Sequence, residues 1–183
     1  MARQLDKILV IDVESTCWDG ATPDGEVSEI IEIGVATLDV ASLERVDREC
    51  LLIKPVRSQV SEFCTRLTTL TAEHLSDAGS LADAVKVLKK RFRSQDRLWA
   101  SWGDYDRRQF ERVCQEFGVG YPFGTSHLNV KTLFSVAHGL DRELGMDMAC
   151  QRLGLPIEGT HHRGVDDAWN IAGILSRLLA SSR

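Results

Sequence analysis

No apolar run in this 183-residue chain approaches the roughly 20 residues that a membrane-spanning helix needs, so a membrane-spanning role is excluded from the expected classes. Met1 to Lys7 is polar and leads straight into Ile8-Leu9-Val10-Ile11. It has no charged-then-apolar layout and no small-residue cleavage site, so residence in the cytoplasm is the expectation. CxxC pairs are missing as well. The cysteines number five, at 17, 50, 64, 114 and 150, and an odd, scattered set argues against a closed disulfide framework and reads mostly as buried thiols. An excess of positive charge is also missing: the formal net charge is −5, unlike the basic balance of many nucleic-acid binders. A cluster of metal-binding carboxylates would itself inflate the acidic count, so net charge does not decide the partner. Repeats, low-complexity tracts and linkers are absent, and the length suits one substantial core, so one domain over residues 1–183 is expected.

What is present is an ordered series of short elements. Lys7 to Val13 is β-branched-rich and apolar, the pattern of a strand buried on both faces, and it ends in acids. Beyond a Gly/Pro/Asp-rich loop, Ile30 to Leu38 and Glu49 to Ile53 read as two more strands, joined around Asp39 to Leu43. The spacing predicts helices over Leu81–Phe92, Tyr105–Phe117, Thr132–His138, Met146–Leu153 and Val165–Leu179, with short strands at Arg97–Ser101 and His127–Val130. A meander followed by alternating strands and helices implies an α/β fold: a mixed sheet, antiparallel then parallel, flanked by helices on both faces.

Three segments carry chemistry. Asp12 and Glu14 stand two apart at a strand end, so both side chains leave the same face. Two acids sharing one site are costly unless a cation neutralises them, and oxygen ligands of this kind suit Mg²⁺ or Mn²⁺. In Trp102-Gly103-Asp104-Tyr105-Asp106, Asp106 shares a helical stripe with Phe110, Val113, Cys114 and Phe117 and is expected to face inward. Asp104 occupies an N-cap position, where a carboxylate accepts bonds from free backbone N–H groups. In His161-His162-Arg163-Gly164-Val165-Asp166-Asp167, Asp167 continues into the stripe Ile171, Ile174, Leu175 and Leu178. Asp166, sharing a face with Asn170, Gly173 and Arg177, is expected in solvent. His162, in a loop bounded by Gly159 and Gly164, has a side chain suited to taking a proton near neutral pH, with His161 as its rival. Four inward acids from three segments would repel intolerably without metal ions between them. Two divalent ions about 3.5–4 Å apart stabilise an in-line displacement at phosphorus, which predicts phosphodiester hydrolysis.

These residues, in this order, resemble the DEDDh (DnaQ-like) exonucleases, the four-acid-plus-histidine family related to the proofreading subunit of DNA polymerase III. Its three motifs are similar to Asp12-Val13-Glu14-Ser15-Thr16, Trp102 to Asp106, and His162 through Gly164 to Asp167. Ser61 to Thr68 and Leu98 to Gly103 resemble the ERI-like and KapD-like subgroup, the trimming exoribonucleases and their bacterial relatives. The resemblance implies a ribonuclease-H-like five-stranded sheet and removal of nucleoside 5′-monophosphates from the free 3′ end of single-stranded nucleic acid, RNA favoured over DNA. It also implies two Mg²⁺ ions, with Mn²⁺ as substitute, on Asp12, Glu14, Asp106 and Asp167, and His162 as general base. No additional RNA-binding domain is seen in the chain. Ser15 and Thr16 would contact the terminal nucleotide, and Trp18 and Trp102 would stack on bases, each stack worth about 1–3 kcal/mol. Leu67, with Thr68 and His74, falls where relatives place a base-contacting wedge, and Arg163, Arg107 and Arg108 are candidates for phosphate. The basic run Lys89, Lys90, Arg91 and Arg93 reads as a solvated helix end before it reads as a phosphate-binding patch.

Other readings make different demands. A DNA-directed proofreading or repair exonuclease would use the same residues. Asp12 to Thr16 is also similar to the Asp-x-Asp-x-Thr of haloacid-dehalogenase-type phosphatases, a reading that leaves His162 and the Asp106 stripe unexplained. A non-catalytic nucleic-acid-binding module would be marked by loss of a ligand, and all four acids and the histidine are present.

Overall fold

A computed structural model describes residues 4–182; the ends of the expected domain, 1–3 and 183, lie outside the described residues. Five strands form one mixed sheet in the order β3-β2-β1-β4-β5: β1 Gln4–Ser15, β2 Ile30–Asp39, β3 Arg45–Leu52, β4 Arg97–Ser101 and β5 His127–Asn129. The first three pair antiparallel, and β4 and β5 join parallel, as the sequence pattern predicts. This is the ribonuclease-H-like architecture. The antiparallel meander departs from the parallel sheet a dehalogenase-type phosphatase would require.

Among the described residues six helices flank the sheet: α1 Glu62–Thr68, α2 Leu81–Lys90, α3 Tyr105–Glu116, α4 Val130–Ala137, α5 Met146–Leu153 and α6 Gly164–Ala180. The strand alternation of β1 divides its side chains between two cores. Ile8 and Val10 join α4, α5 and α6 on one face, while Leu9, Ile11 and Val13 join α2 and α3 on the other. Asp12 and Glu14 continue the α6 side. Sequence periodicity missed α1, too short for a helical stripe, and placed the start of β3 four residues late, because Arg45 to Arg48 alternate charge on a half-solvated edge. Among the described residues no helix is long and apolar enough to cross a membrane.

One close approach fixes the geometry of the site. Gly34 in β2 stands opposite Asp12 in the β1–β2 ladder. A Cβ on Gly34 would lie 1.9 Å from the Gly164 carbonyl, and one on Gly164 would lie 3.0 Å from the Asp12 carbonyl oxygen. The first turn of α6 therefore rests backbone against backbone on β1 and β2, which brings Asp167 down onto the acid pair.

Candidate active site

The three acidic segments meet at one end of the sheet, around a cleft of about 380 Å³. Asp12, Glu14, Ser15, Leu67, Trp102, Asp106, His162 and Asp167 all line it. One carboxylate oxygen from each of Asp12, Glu14 and Asp167 lies within 4.8 Å of the others. Asp106, 3% exposed, is fixed by the Val13 N–H, which donates to its Oδ1 at 2.9 Å. Asp167 is fixed by the His162 N–H, which donates to its Oδ2 at 3.0 Å. Both acids predicted to face inward from their helical stripes do so.

The electrostatics follow from packing four carboxylates in little water. Burial first, then its neighbours Asp106 and Glu14, pushes Asp12 well above the carboxylate range. Burial, then Asp167, Glu32 and Asp106, pushes Glu14 up to about 9. Burial raises Asp106 to about 6 and also raises Asp167, against the opposing pull of His161. At about 9, Glu14 holds a proton at neutral pH in a metal-free protein, and a divalent cation among the acids would displace it. The donor set, all carboxylate oxygen, fits a hard divalent ion. Burial and the adjacent His161 lower the His162 imidazole below its ordinary value, so it is neutral, with a free lone pair, near neutral pH.

A pH dependence follows with a definite sign. Glu14 rises from 4.5 to about 9 on folding, so the folded metal-free protein binds more protons than the unfolded chain across that interval. Its stability therefore falls as pH rises from about 4.5 to about 9. Thermal melts in EDTA are expected to drop by more than about 5 °C between pH 5 and pH 9. The stabilisation conferred by an added divalent cation is expected to grow over the same range. A metal-induced shift that is constant or shrinks with pH would contradict the acid cluster.

Several residues named from sequence are engaged elsewhere. Thr16 is fully buried; its hydroxyl donates to the Val27 carbonyl at 3.0 Å and accepts from the Glu29 N–H at 2.8 Å. It pins the loop after β1 and does not line the cleft. Arg163 turns away to pair with Glu32, which is 0% exposed, at 2.9 Å. A buried carboxylate is costly without a partner, so this arginine neutralises Glu32 under the start of α6. Trp18 is half-buried and outside the cleft lining. Asp104 occupies the N-cap of α3 but makes no capping bond; its carboxylate meets Arg107 at 3.3 Å instead. Asp166 is not free in solvent: it accepts from the Thr160 N–H at 2.9 Å and faces Arg48 at 3.4 Å. Asn170, on the face expected in solvent, is 3% exposed because it clasps the backbone of Glu158.

The other secondary candidates divide. Thr68 is buried and bonds within α1, and His74 bonds to the Thr71 N–H, so neither joins Leu67 in the cleft. Arg107 pairs with Asp104 and Glu111. Arg108 lines a neighbouring cavity that shares Trp102 and Tyr105 with the cleft. Of the basic run, Arg91 binds Glu49 and Asp47, and Arg93 binds Asp96. The cleft also contains Cys17, Tyr105, Gly145, Met146, Asp147, His161 and Ile171. Of these, His161 had a sequence signal as rival to His162, and Tyr105 sits inside the second motif.

A family model described as exonuclease matches residues 9–175. The chain belongs to the exonuclease family. Within that family it is a DEDDh exonuclease of the ERI-like and KapD-like group. It is 31% identical over 185 residues to the "3'-5' exoribonuclease 1" of Rattus norvegicus, covering 95% of this chain and 53% of that protein. It is 25% identical over 168 residues to the "Probable 3'-5' exonuclease KapD" of Bacillus subtilis (strain 168), covering 89% of this chain and 80% of that protein. The nuclease domain of 3'hExo, a DEDDh family member solved bound to rAMP, superposes with a TM-score of 0.88 at 28% identity, covering 98% of this chain and 95% of that one. The chain spans about half the length of the mammalian exoribonucleases it matches.

Proposed function

We propose that this chain folds as one exonuclease domain and hydrolyses phosphodiester bonds from the free 3′ end of single-stranded nucleic acid, RNA in preference to DNA, releasing nucleoside 5′-monophosphates. The observation that carries the reading is the convergence of Asp12, Glu14 and Asp167 within 4.8 Å, with Asp106 and His162 on the same cleft. Asp12, Glu14, Asp106 and Asp167 would hold two divalent ions, Mg²⁺ or Mn²⁺, which when bound neutralise the carboxylates and stabilise charge at the scissile phosphate. His162, neutral near pH 7 and rooted beside Asp167, takes the proton of the attacking water at its free ring nitrogen. Ser15, whose Oγ accepts from Gln109 at 2.9 Å, is held at the cleft wall where the terminal sugar would lie. Trp102, anchored through its indole N–H to the Leu144 carbonyl at 3.2 Å, offers a fixed ring for stacking, and Leu67 faces the same space from α1.

RNA preference is supported by the names of the exoribonuclease relatives and by the rAMP bound to 3'hExo. It is tested by competing 5′-labelled RNA and DNA of one sequence in a single reaction and identifying the released nucleotide by chromatography. Faster shortening of RNA with 5′-monophosphates as product is expected; faster DNA loss would favour a proofreading or repair role. His162→Ala is expected to lower kcat about 10²- to 10⁴-fold while Mg²⁺ binding measured by calorimetry is retained. Unchanged turnover in that variant would mean that another group takes the proton.

A further inference from the structure

His161 and His162 are adjacent, and in extended backbone adjacent side chains point to opposite sides. Here they do not. His162 has φ +64°, a left-handed conformation that non-glycine residues seldom adopt and that surrounding structure must enforce. The turn swings both imidazoles to one side, where their rings stack at 4.0 Å with an interplanar angle of 23°. Beneath them Asp167, at the first turn of α6, meets His161 Nδ1 at 3.0 Å. One donor atom from each of His161, His162 and Asp167 lies within 4.8 Å of the other two.

This donor set differs in kind from the acid set. Two imidazole nitrogens and one carboxylate oxygen suit a borderline transition ion, whereas Mg²⁺ prefers oxygen alone. We propose that His161, His162 and Asp167 form a second cation site, selective for Zn²⁺, with water completing the coordination. Ligands about 2.0–2.1 Å from a tetrahedral ion stand roughly 3.4 Å apart, near the 3.0 Å that separates His161 Nδ1 from Asp167 Oδ2. His161, with 43% of its side chain exposed, is the most exposed of the three, while Asp167 is buried at the start of α6. Asp167 belongs to both sets and cannot serve a hard ion and Zn²⁺ equally. Zn²⁺ in this site also occupies the His162 lone pair. On the exonuclease reading proposed above, on which this consequence rests, Zn²⁺ therefore inhibits the Mg²⁺-supported reaction.

The site is tested apart from the activity. Protein stripped with EDTA is titrated with ZnCl₂ by calorimetry without Mg²⁺, and with CoCl₂ by visible absorption, for the wild type, His161→Ala and Asp12→Asn. His161→Ala is expected to weaken Zn²⁺ binding by more than about tenfold and to lose the Co²⁺ visible band, while Asp12→Asn keeps both. Equal Zn²⁺ affinity in the wild type and His161→Ala, or loss of binding in Asp12→Asn alone, would overturn the proposal by placing the ion on the acids. In nuclease assays at saturating Mg²⁺, the Zn²⁺ concentration that halves the rate is expected to rise at least about tenfold in His161→Ala. A wild type without nuclease activity would count against the function reading, and the calorimetry would still decide the site.

Discussion

Asp167→Asn is expected to lower turnover by at least about 10³-fold while leaving the metal-free protein more stable at pH 8. The substitution is isosteric and keeps an oxygen to accept the His162 N–H, so the loop before α6 keeps its anchor. What it removes is one charge from a cluster in which burial raises every member and repulsion, Asp167 included, raises Asp12 and Glu14 further. Loss of an ion ligand and relief of repulsion thus act on different observables and in opposite senses. The measurement is paired: single-turnover rates with Mg²⁺, and thermal melts in EDTA. Retained activity would remove Asp167 from the metal site. A lower melting temperature would show that the carboxylate is needed as a structural anion.

Gly34→Ala is expected to destabilise the protein by about 3 kcal/mol or more, and any folded fraction is expected to be inactive. Its new Cβ would lie 1.9 Å from the Gly164 carbonyl, with backbone on both sides and no flexible side chain to yield. The start of α6 would have to lift from the sheet and carry Asp167 and the His162 loop away from Asp12. Gly164→Ala makes the comparison, because its Cβ meets backbone at 3.0 and 3.1 Å, an overlap far milder than 1.9 Å. Its cost is expected to be within about 1 kcal/mol. Denaturant melts of the two variants decide the matter, and equal stabilities would mean that the close approach does not set the position of α6.

Much of the site was legible because helical and strand periodicity separates inward from outward acids. The two-residue spacing of Asp12 and Glu14 put them on one face, and the apolar stripes of α3 and α6 selected Asp106 over Asp104 and Asp167 over Asp166. Periodicity failed where a polar face is covered by chain distant in sequence. Asn170 and Asp166 hold the segment from Glu158 to Thr160, and no local pattern announces that a loop will fold back over a helix. Arg163 reads from sequence as a substrate contact, because a cation beside an active-site motif suggests phosphate. The buried partner that claims it, Glu32, lies 131 positions away on β2, between Ile31 and Ile33. Thr16 shows the same limit, since a hydroxyl next to two catalytic acids looks available until the Val27–Glu29 backbone is seen to occupy it. Gly34 carried no signal at all, because a glycine in a strand marks a close approach without saying to what.

On the proposed reading, four converging carboxylates and one histidine make a metal-dependent nuclease acting at a 3′ end. The most direct test is a time course on 5′-labelled single-stranded RNA with Mg²⁺, with Mn²⁺ and with EDTA, using the wild type beside Asp12→Asn. A ladder that shortens progressively from the 3′ end with either ion, and that is absent in EDTA and in the variant, is the predicted result. Shortening that persists in EDTA, or intact RNA in every lane with the protein still bound to it, would contradict the account.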